Sequence, residues 1–464
     1  MTTQEQELSQ QEHLEVDEEL LSDILDLIHS RSDNSLRNIL NDLFHIDIAH
    51  LINKITIEEG EYLFSLLSIE DASKVIVELD DEHREHFLET LSKKKISELV
   101  EEMPSDDATD IVSELPKETA TEILQSLDVE NSTELQELLR YDENTAGGIM
   151  QKEFITVKKT DTVKKAIQAV RRAAKENKSE QFYSLYVVDE NNTLAGILPV
   201  STLILLSPNR KIYKVMNADV ISVKTNVDQE EVANIFKKYD IVSLPVVNDA
   251  NQIVGRITVD DVVDVIEEEA SEDIFRLGGV SEDEQISTPA FSAMKRRLPW
   301  LYVNLLTAFL AATVVGFFQQ TIQSIVILAA LMPIVAGMGG NAATQTITVV
   351  VRGLALGEVS FSNRKKVLLK EIQIGLLNGV ANGILTGTVI ALFSHNVVLG
   401  IVICLAMITN MFVAGFAGTL VPLTLKWLKI DPALASAVVV TTFTDICGFA
   451  SFLGLATLFL SLLT

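Results

Sequence analysis

The chain has 464 residues, 47% of them hydrophobic and 22% charged, with a formal net charge of −28. That average conceals two unlike parts: from Lys295 onward ten basic residues stand against four acidic ones, net +6, so the preceding residues carry −34. A part this acidic repels nucleic acid and anionic surfaces and draws counter-cations, which excludes binding to a phosphate backbone.

The opening stretch, MTTQEQELSQQEHLEVDEEL, is polar and acidic rather than basic then apolar. It does not read as a secretory leader, and the large N-terminal part is expected in the cytosol, with residues 1–13 disordered. From Leu14 to Tyr141 the chain reads as short amphipathic helices, such as TIEEGEYLFSLLS, DEHREHFLETLS, KKKISELVEEM and KETATEILQSL. Each is too small to bury its own apolar face, so stacking in sequence into an all-α superhelix is expected. In SDDATDIV, Ser105 is a candidate cap and Asp106 and Asp110 fall on one helical face; taken alone, the pair reads as a solvated helix start. His83 and His86 lack a metal-ligand pattern and read as an exposed surface pair.

An internal repeat follows. IMQKEFITVKKTDTVKKAIQAV from Ile149 parallels VMNADVISVKTNVDQEEVANIF from Val215, and SLYVVDENNTLAGIL parallels SLPVVNDANQIVGRIT. Each copy reads strand, helix, strand, turn at DENN or NDAN, strand, helix. This order resembles tandem CBS domains, α+β modules that often sense adenine nucleotides. The nucleotide-binding ending of such domains is nearly matched in the second copy by Gly255, Thr258 and Asp261; the first copy, GILPVSTL, lacks the Asp.

From Asp260 the acids thicken. Asp261, Asp264, Glu268 and Glu272 recur at three- and four-residue spacing, so they share one face of a continuous helix and repel one another unless cations screen them. Carboxylate-only clusters suit hard cations such as Mg²⁺ and Ca²⁺.

The remaining sequence holds five apolar runs, 299–318, 325–351, 372–393, 397–420 and 434–462, each long enough to span a bilayer. Every basic cluster falls at the connections on the N-terminal side, and the connections FQQTIQ and SHN have none. The positive-inside rule therefore places the N-terminus in the cytosol and the C-terminus outside. Trp300 and Trp427 sit beside Arg297 and Lys426, where an interfacial belt puts them. Cys404 and Cys447 lie in apolar runs and read as buried free thiols. In the second run, PIVAGMGGNAATQ, Gly337, Gly339 and Gly340 permit close approach or a local break, and Asn341, Thr344 and Gln345 supply polar groups. The last run carries one carboxylate, Asp445. Placing an ionised Asp at a helix centre costs about 2.5–3.5 kcal/mol, so such a residue faces a bundle interior or a wet pathway. No Lys, Arg or His lies within any apolar run to neutralise it, so an external cation is the simplest partner; counting a helix from Asp431, it sits roughly 21 Å along.

Taken together, the helical N-domain, the YDENTAGGIM linker, the paired CBS copies, the acidic helix ending EDIFRLGGV, GGN in the second span, RGLALGEV after it and DPALAS…TTFTD..G in the last resemble the MgtE-type magnesium channels and transporters. The resemblance implies a multidomain chain: an acidic all-α superhelical N-domain at 1–140, a linker at 141–148, CBS copies at 149–212 and 213–262, an acidic connecting (plug) helix and linker at 263–294, and an α-helical transmembrane domain of five spans at 295–464. It implies a homodimer in the cell membrane that takes up Mg²⁺, with Asp445 binding the hydrated ion. Asn341, Gly340, Thr441 and Thr442 are expected beside it. It implies regulatory metal-binding acids at Asp106 and Asp110, Asp228 and Glu230, Asp261, Asp264, Glu269, Glu272 and Asp273, and Asp431. The sequence departs from the family pattern at Asp142 and Gly148, at the AAT after GGN, and at Ala437-Val438.

The expectation is then a Mg²⁺ channel or transporter, closed by cytosolic Mg²⁺ shared between acidic faces, with ATP a candidate ligand of the CBS pair at Thr258 and Asp261. Two other readings stay open: an ion-coupled secondary transporter of Mg²⁺, Co²⁺ or Ni²⁺, and a nucleotide-sensing CBS membrane protein. An enzyme is disfavoured, because no nucleophile-base pair or phosphate-cradling glycine loop occurs.

Overall fold

A computed structural model describes residues 18–176, 181–281, 284, 288–360, 362–433 and 436–463. The disordered start expected at residues 1–13 lies outside them. The chain divides into two units, Met1–Ile266 and Glu267–Thr464.

The described residues of the first unit open with ten helices: α1 (Glu18–His29), α2 (Asp33–Asp42), α3 (His45–Ile52), α4 (Ile57–Leu66), α5 (Ile69–Val77), α6 (Asp81–Thr90), α7 (Lys93–Glu102), α8 (Ser105–Glu114), α9 (Lys117–Ser126) and α10 (Val129–Leu138). Capping side chains punctuate them. Thr56 and Glu59 form a reciprocal capping box, and Ser68, Asp80, Ser92 and Asp128 each accept a backbone N–H of the first turn. Most of these helices pack against the one two further along, so Leu36, Leu51, Leu63, Ile76, Phe87, Ile96, Ile111 and Ile123 line one continuous apolar column. This is the stacked superhelix expected of segments that cannot bury their faces alone. Two local expectations are corrected. His83 is buried rather than exposed, its Nδ1 2.8 Å from Asp80 Oδ1, while His86 sits 3.0 Å from Glu61. Ser105 does not cap α8; Pro104 holds that position, and the Ser105 hydroxyl instead donates to Glu153 (2.8 Å) and accepts from the Lys152 amide (2.7 Å).

Two matching three-stranded sheets follow. β1 (Ile155–Lys158), α11 (Val163–Glu176), β2 (Ser184–Val188) and β3 (Leu194–Pro199) form the first copy; β4 (Val223–Lys224), α12 (Gln229–Tyr239), β5 (Ser243–Val247) and β6 (Ile253–Thr258) form the second. In each, the outer pair is parallel, the hairpin antiparallel, and the register shifts at the same place, Val187/Val188 and Val246/Val247. The expected turns are present, with Asn192 and Asn251 at φ 61 and 59; Asn tolerates this left-handed region better than most side chains. The buried Tyr186 and Ser243 hydroxyls, 2.7 Å apart, join the copies. The last helix of the second copy does not stop: α13 (Val259–Gly278) runs on from the first unit into the second.

Among the described residues, the second unit holds five helices long and apolar enough to cross a membrane: α14 (Ala290–Phe317), α15 (Ile327–Ala355), α16 (Arg364–Ser394), α17 (Val397–Trp427) and α18 (Ser436–Leu458). The expected five runs are all present, with different ends. α14 starts nine residues before Pro299 and carries that proline inside it. The last run is not one helix from Asp431: that residue lies outside α18 and turns the chain, accepting the Ala433 amide at 2.8 Å. Cys404 and Cys447 are free and partly buried.

The tightest pairing in this unit is α16 on α17. Gly375, Gly379, Gly383 and Gly387 recur every four residues, and a Cβ on them would meet Met411 O at 2.5 Å, Ile408 Cα at 2.8 Å, Cys404 O at 2.8 Å and Gly400 O at 2.6 Å. Small residues at helical spacing let two backbones touch where lipid offers no hydrophobic drive. We therefore expect Gly379→Leu to lower the thermal unfolding midpoint of the detergent-solubilised protein, with a cost of about 1–3 kcal/mol or more for overpacking. Gly337→Ala, with open space around its Cβ, should leave that midpoint unchanged.

Candidate ion pathway and regulatory acids

Asp445 is the tenth residue of α18, about 14 Å from its start at 1.5 Å per residue, and so well inside the span. It is half-buried, and among the described residues no hydrogen bond or ion pair reaches its carboxylate. Thr441 is four residues before it and Thr442 three, so all three share one side of the helix. Their hydroxyls donate back along the helix, Thr441 to Ala437 O at 2.8 Å and Thr442 to Val438 O at 2.7 Å. With their protons so used, the two oxygens can only accept. Next to a carboxylate, the result is a set of acceptors, suited to the outward-pointing hydrogens of a hydrated cation. Asn341 of α15 is exposed and Gly340 has open space around its Cβ.

A residue that sequence reasoning passed over fixes this helix against its neighbours. Asn410 of α17 is buried and donates to Val335 O of α15 at 2.8 Å. A Cβ on Gly339 would lie 2.1 Å from its Nδ2, and one on Gly448, three residues past Asp445, 2.8 Å. One amide is thus wedged between two glycines on different helices. The only signal was a lone Asn in the apolar run AMITNMFVAG.

At the N-terminal end of α18 a cavity of about 380 Å³ is lined by Arg276, Arg297, Asn304, Val438 and Thr441. It brings the end of α13 beside the start of the last span. There Arg276 pairs with both Glu272 and Asp431. Burial, reinforced by the charges of Asp431 and Glu269, pushes the Asp273 carboxyl up to about 6. Four of the expected acids, Glu269, Glu272, Asp273 and Asp431, therefore converge, together with a cation that the expectation did not include.

The other acids lie in the first unit. Burial and then the charge of Asp261 hold the buried Asp106 carboxyl well above the usual range, and Gln151 Nε2 donates to it at 3.1 Å. Asp106 is thus not on a solvated face; Asp110, four residues on, is exposed. Burial raises Asp261 to about 6 against two hydrogen bonds from Thr258, its hydroxyl at 2.7 Å and its amide at 3.1 Å. Glu78, unmarked in the sequence reading, is raised by burial, lowered by His45 and raised again by Asp264. Asp228 is exposed and caps α12, accepting the Glu230 amide at 2.9 Å.

Among the described residues no three metal-ligating side chains form one group. What the fold supplies is carboxylates brought together in pairs, with the proton affinity of Glu78, Asp106, Asp261 and Asp273 raised. Mg²⁺ takes one or two carboxylates and keeps several waters, so pairs of this kind fit it while a closed all-protein cage is not formed.

Three family models match. One described as a divalent cation transporter matches residues 332–455, the MgtE intracellular N domain matches 43–144, and the CBS domain matches 146–208 and 212–268. The chain is 35% identical over 325 residues to the magnesium transporter MgtE of Thermus thermophilus, covering 70% of this chain and 72% of that one. It is also 35% identical over 323 residues to that of Enterococcus faecalis, covering 70% and 71%. Among solved structures, the soluble part of a magnesium transporter is similar at TM-score 0.50 and 29% identity, over 55% of this chain and 99% of that one. The cytosolic domain of the Mg²⁺ channel MgtE in complex with ATP is similar at TM-score 0.50 and 33% identity, over 53% and 99%.

The raised carboxyls carry a sign that can be tested. An acid whose folded pKa lies above its unfolded value adds stability at low pH and loses it as pH rises through the folded value. For Asp261 that window runs from about 4 up to about 6. In chelator, the cytosolic transition of the full-length protein should melt higher at pH 5 than at pH 7.5. Mg²⁺ should narrow the gap, and Asp261→Asn should shrink it.

Proposed function

Because the chain belongs to the MgtE family of magnesium transporters, we propose that it conducts hydrated Mg²⁺ across a membrane past Asp445, and that cytosolic Mg²⁺ closes it. The observation that carries this reading is the mid-span carboxylate with no partner among the described residues, set beside hydroxyls that can only accept. Mg²⁺ gives up its water reluctantly. A site for it should therefore hold the water shell, which donates outward, and Asp445, Thr441 and Thr442 offer acceptors alone. Asn341 and Gly340 of α15 are assigned to the same pathway as an amide and a backbone that the ion's waters reach.

One carboxylate is half of a ring. The half-exposure of Asp445 in a single chain supports a homodimer in which two copies face each other across the pathway. With five spans, the acidic domains stand in the cytosol and the C-terminus on the far side.

The gate is assigned to α13, since that one helix carries acids from both units. In the first unit, Asp106 with Asp261 and Glu78 with Asp264 hold like charges together; in the second, Asp273 meets Asp431 and Glu269. Ionised, each set repels. A divalent cation shared within a set offsets the repulsion and favours the closed arrangement. Moving a two-state equilibrium from 1:99 to 99:1 takes about 5.5 kcal/mol of differential binding. A site preferring one state tenfold gives about 1.4 kcal/mol, so roughly four weak sites suffice. Asp110, Asp228 and Glu230, which lie exposed or half-exposed, are assigned to the weaker sites. ATP is assigned to the second CBS copy, where Thr258 and Asp261 now bond each other; the ATP carried by the similar cytosolic domain supports this.

Asp445→Ala is expected to abolish Mg²⁺ flux into vesicles, a loss of at least 100-fold (about 2.7 kcal/mol or more in barrier terms), with size-exclusion profile and melting midpoint preserved. Flux near the wild-type rate in the folded variant would remove the assignment.

A further inference from the structure

Two apolar clusters of the second unit are built from the same three helices, α15, α17 and α18. One gathers Val335, Met407, Met411 and Phe452, the other Ala343, Ala414 and Val440. Asn410, 1% exposed, stands on the same face of α17 as Met407 and Ala414, where the two clusters meet. Its Nδ2 donates to Val335 O, and its Oδ1 has no hydrogen-bond partner among the described residues. An apolar side chain of the same outline would leave no orphaned oxygen, so filling space does not by itself account for an asparagine. The bond to a carbonyl one turn before Gly339 fixes the level of the amide along α15, and an apolar wedge has nothing to hold it there.

The glycines it touches flank the residues of the pathway. Gly339 precedes Gly340 and Asn341, and Gly448 follows Asp445 by three residues. A Cβ on Gly339 would lie 2.1, 2.8 and 3.0 Å from Nδ2, Cγ and Oδ1 of the amide, and one on Gly448 2.8, 2.9 and 3.0 Å from the same atoms. Both backbones therefore rest directly on one side chain. We propose that Asn410 is a positioning residue for ion selection: its amide sets the separation of α15 and α18 beside Asp445, and with it the width open to a hydrated cation. The proposal rests on the reading of Asp445 as the ion's foothold and adds what fixes the width there. Mg²⁺ needs that width most, because it dehydrates reluctantly, whereas Ca²⁺ accepts a flexible shell of protein oxygens. A narrower passage penalises Mg²⁺ more than Ca²⁺.

The test measures Mg²⁺ and Ca²⁺ influx, at equal concentrations, into vesicles carrying the full-length protein. Asn410→Ala should lower the ratio of Mg²⁺ to Ca²⁺ flux by about tenfold, and Asn410→Ser should lower it in the same direction, which keeps the test should the alanine variant fail to fold. Adding Gly448→Ala to Asn410→Ala returns a methyl group to the emptied space and should recover most of the ratio. Gly448→Ala alone should melt lower, through overpacking against the amide. A merely structural role would reduce the number of working copies and lower both fluxes alike, leaving the ratio where it was. A wild-type ratio in folded Asn410→Ala or Asn410→Ser, or no recovery in the double variant, would overturn the proposal. Asp445→Ala, measured alongside, separates the two readings. If it is dead while the ratio at the Asn410 variants is unchanged, only the role of Asn410 fails; if it conducts near the wild-type rate, the pathway falls and this proposal falls with it.

Discussion

The structure turns on one electrostatic constraint, a carboxylate held at mid-span with no partner among the described residues to neutralise it. Low-dielectric surroundings make an unpaired charge costly, and a protein can answer by protonation, by an internal cation or by an external one. The chain has placed its basic residues elsewhere: each of the ten from Lys295 onward lies near a helix end or in a connection, and among the described residues none pairs with Asp445. The neighbouring threonines have turned their protons into the helix. What is left is a half-exposed group of acceptors looking outward, and the rest of the second unit serves to keep it in position. The Asn410 wedge sets α18 against α15, and the glycine ladder seats α16 on α17.

The same constraint recurs, diluted, in the acidic part. There carboxylates find other carboxylates as neighbours, and burial raises the proton affinity of Asp106, Asp261 and Asp273. Asp106 with Asp261 and Asp273 with Asp431 are separate instances, each with one member on the continuous helix α13. Repulsion stored in this way is what a divalent cation at modest affinity can release. Arg276, bonded to Glu272 and Asp431, is a tethered cation in the second cluster. It lowers the charge that any mobile ion must neutralise there, so that cluster should be the less demanding of the two.

Much of this was legible in the residues because it is periodic. The superhelix, the duplicated strand-helix-strand pattern with turns at DENN and NDAN, and the five spans all follow from apolar spacing and from the basic residues between spans. Asp445 stood out because charge in an apolar run is rare. What was not legible depends on which face meets which neighbour. Asp106 and Asp110 share a spacing but not an environment, since only the fold brings Gln151 and Asp261 onto the first of them. Ser105 has the composition of a cap and serves as a link to Lys152 and Glu153. His83 is covered by packing that its own helix does not announce. The sequence reading did not single out the glycine spacing in GLLNGVANGILTG, since its partner residues on α17 show only in the fold. Helix ends were the weakest point: Asp431 belongs to a turn, because its carboxylate serves the Ala433 amide and Arg276 instead of starting a helix.

If the outward-looking acceptors line a wet pathway, water-soluble reagents must reach that depth. The decisive measurement is the modification rate of the thiol created by Asp445→Cys, in a Cys404→Ser and Cys447→Ala background, by a charged, membrane-impermeant thiosulfonate, beside Leu377→Cys on the exposed surface of α16. The account predicts rapid labelling at position 445 and negligible labelling at position 377 in the same vesicles. A thiol at 445 as unreactive as the one at 377 would contradict it.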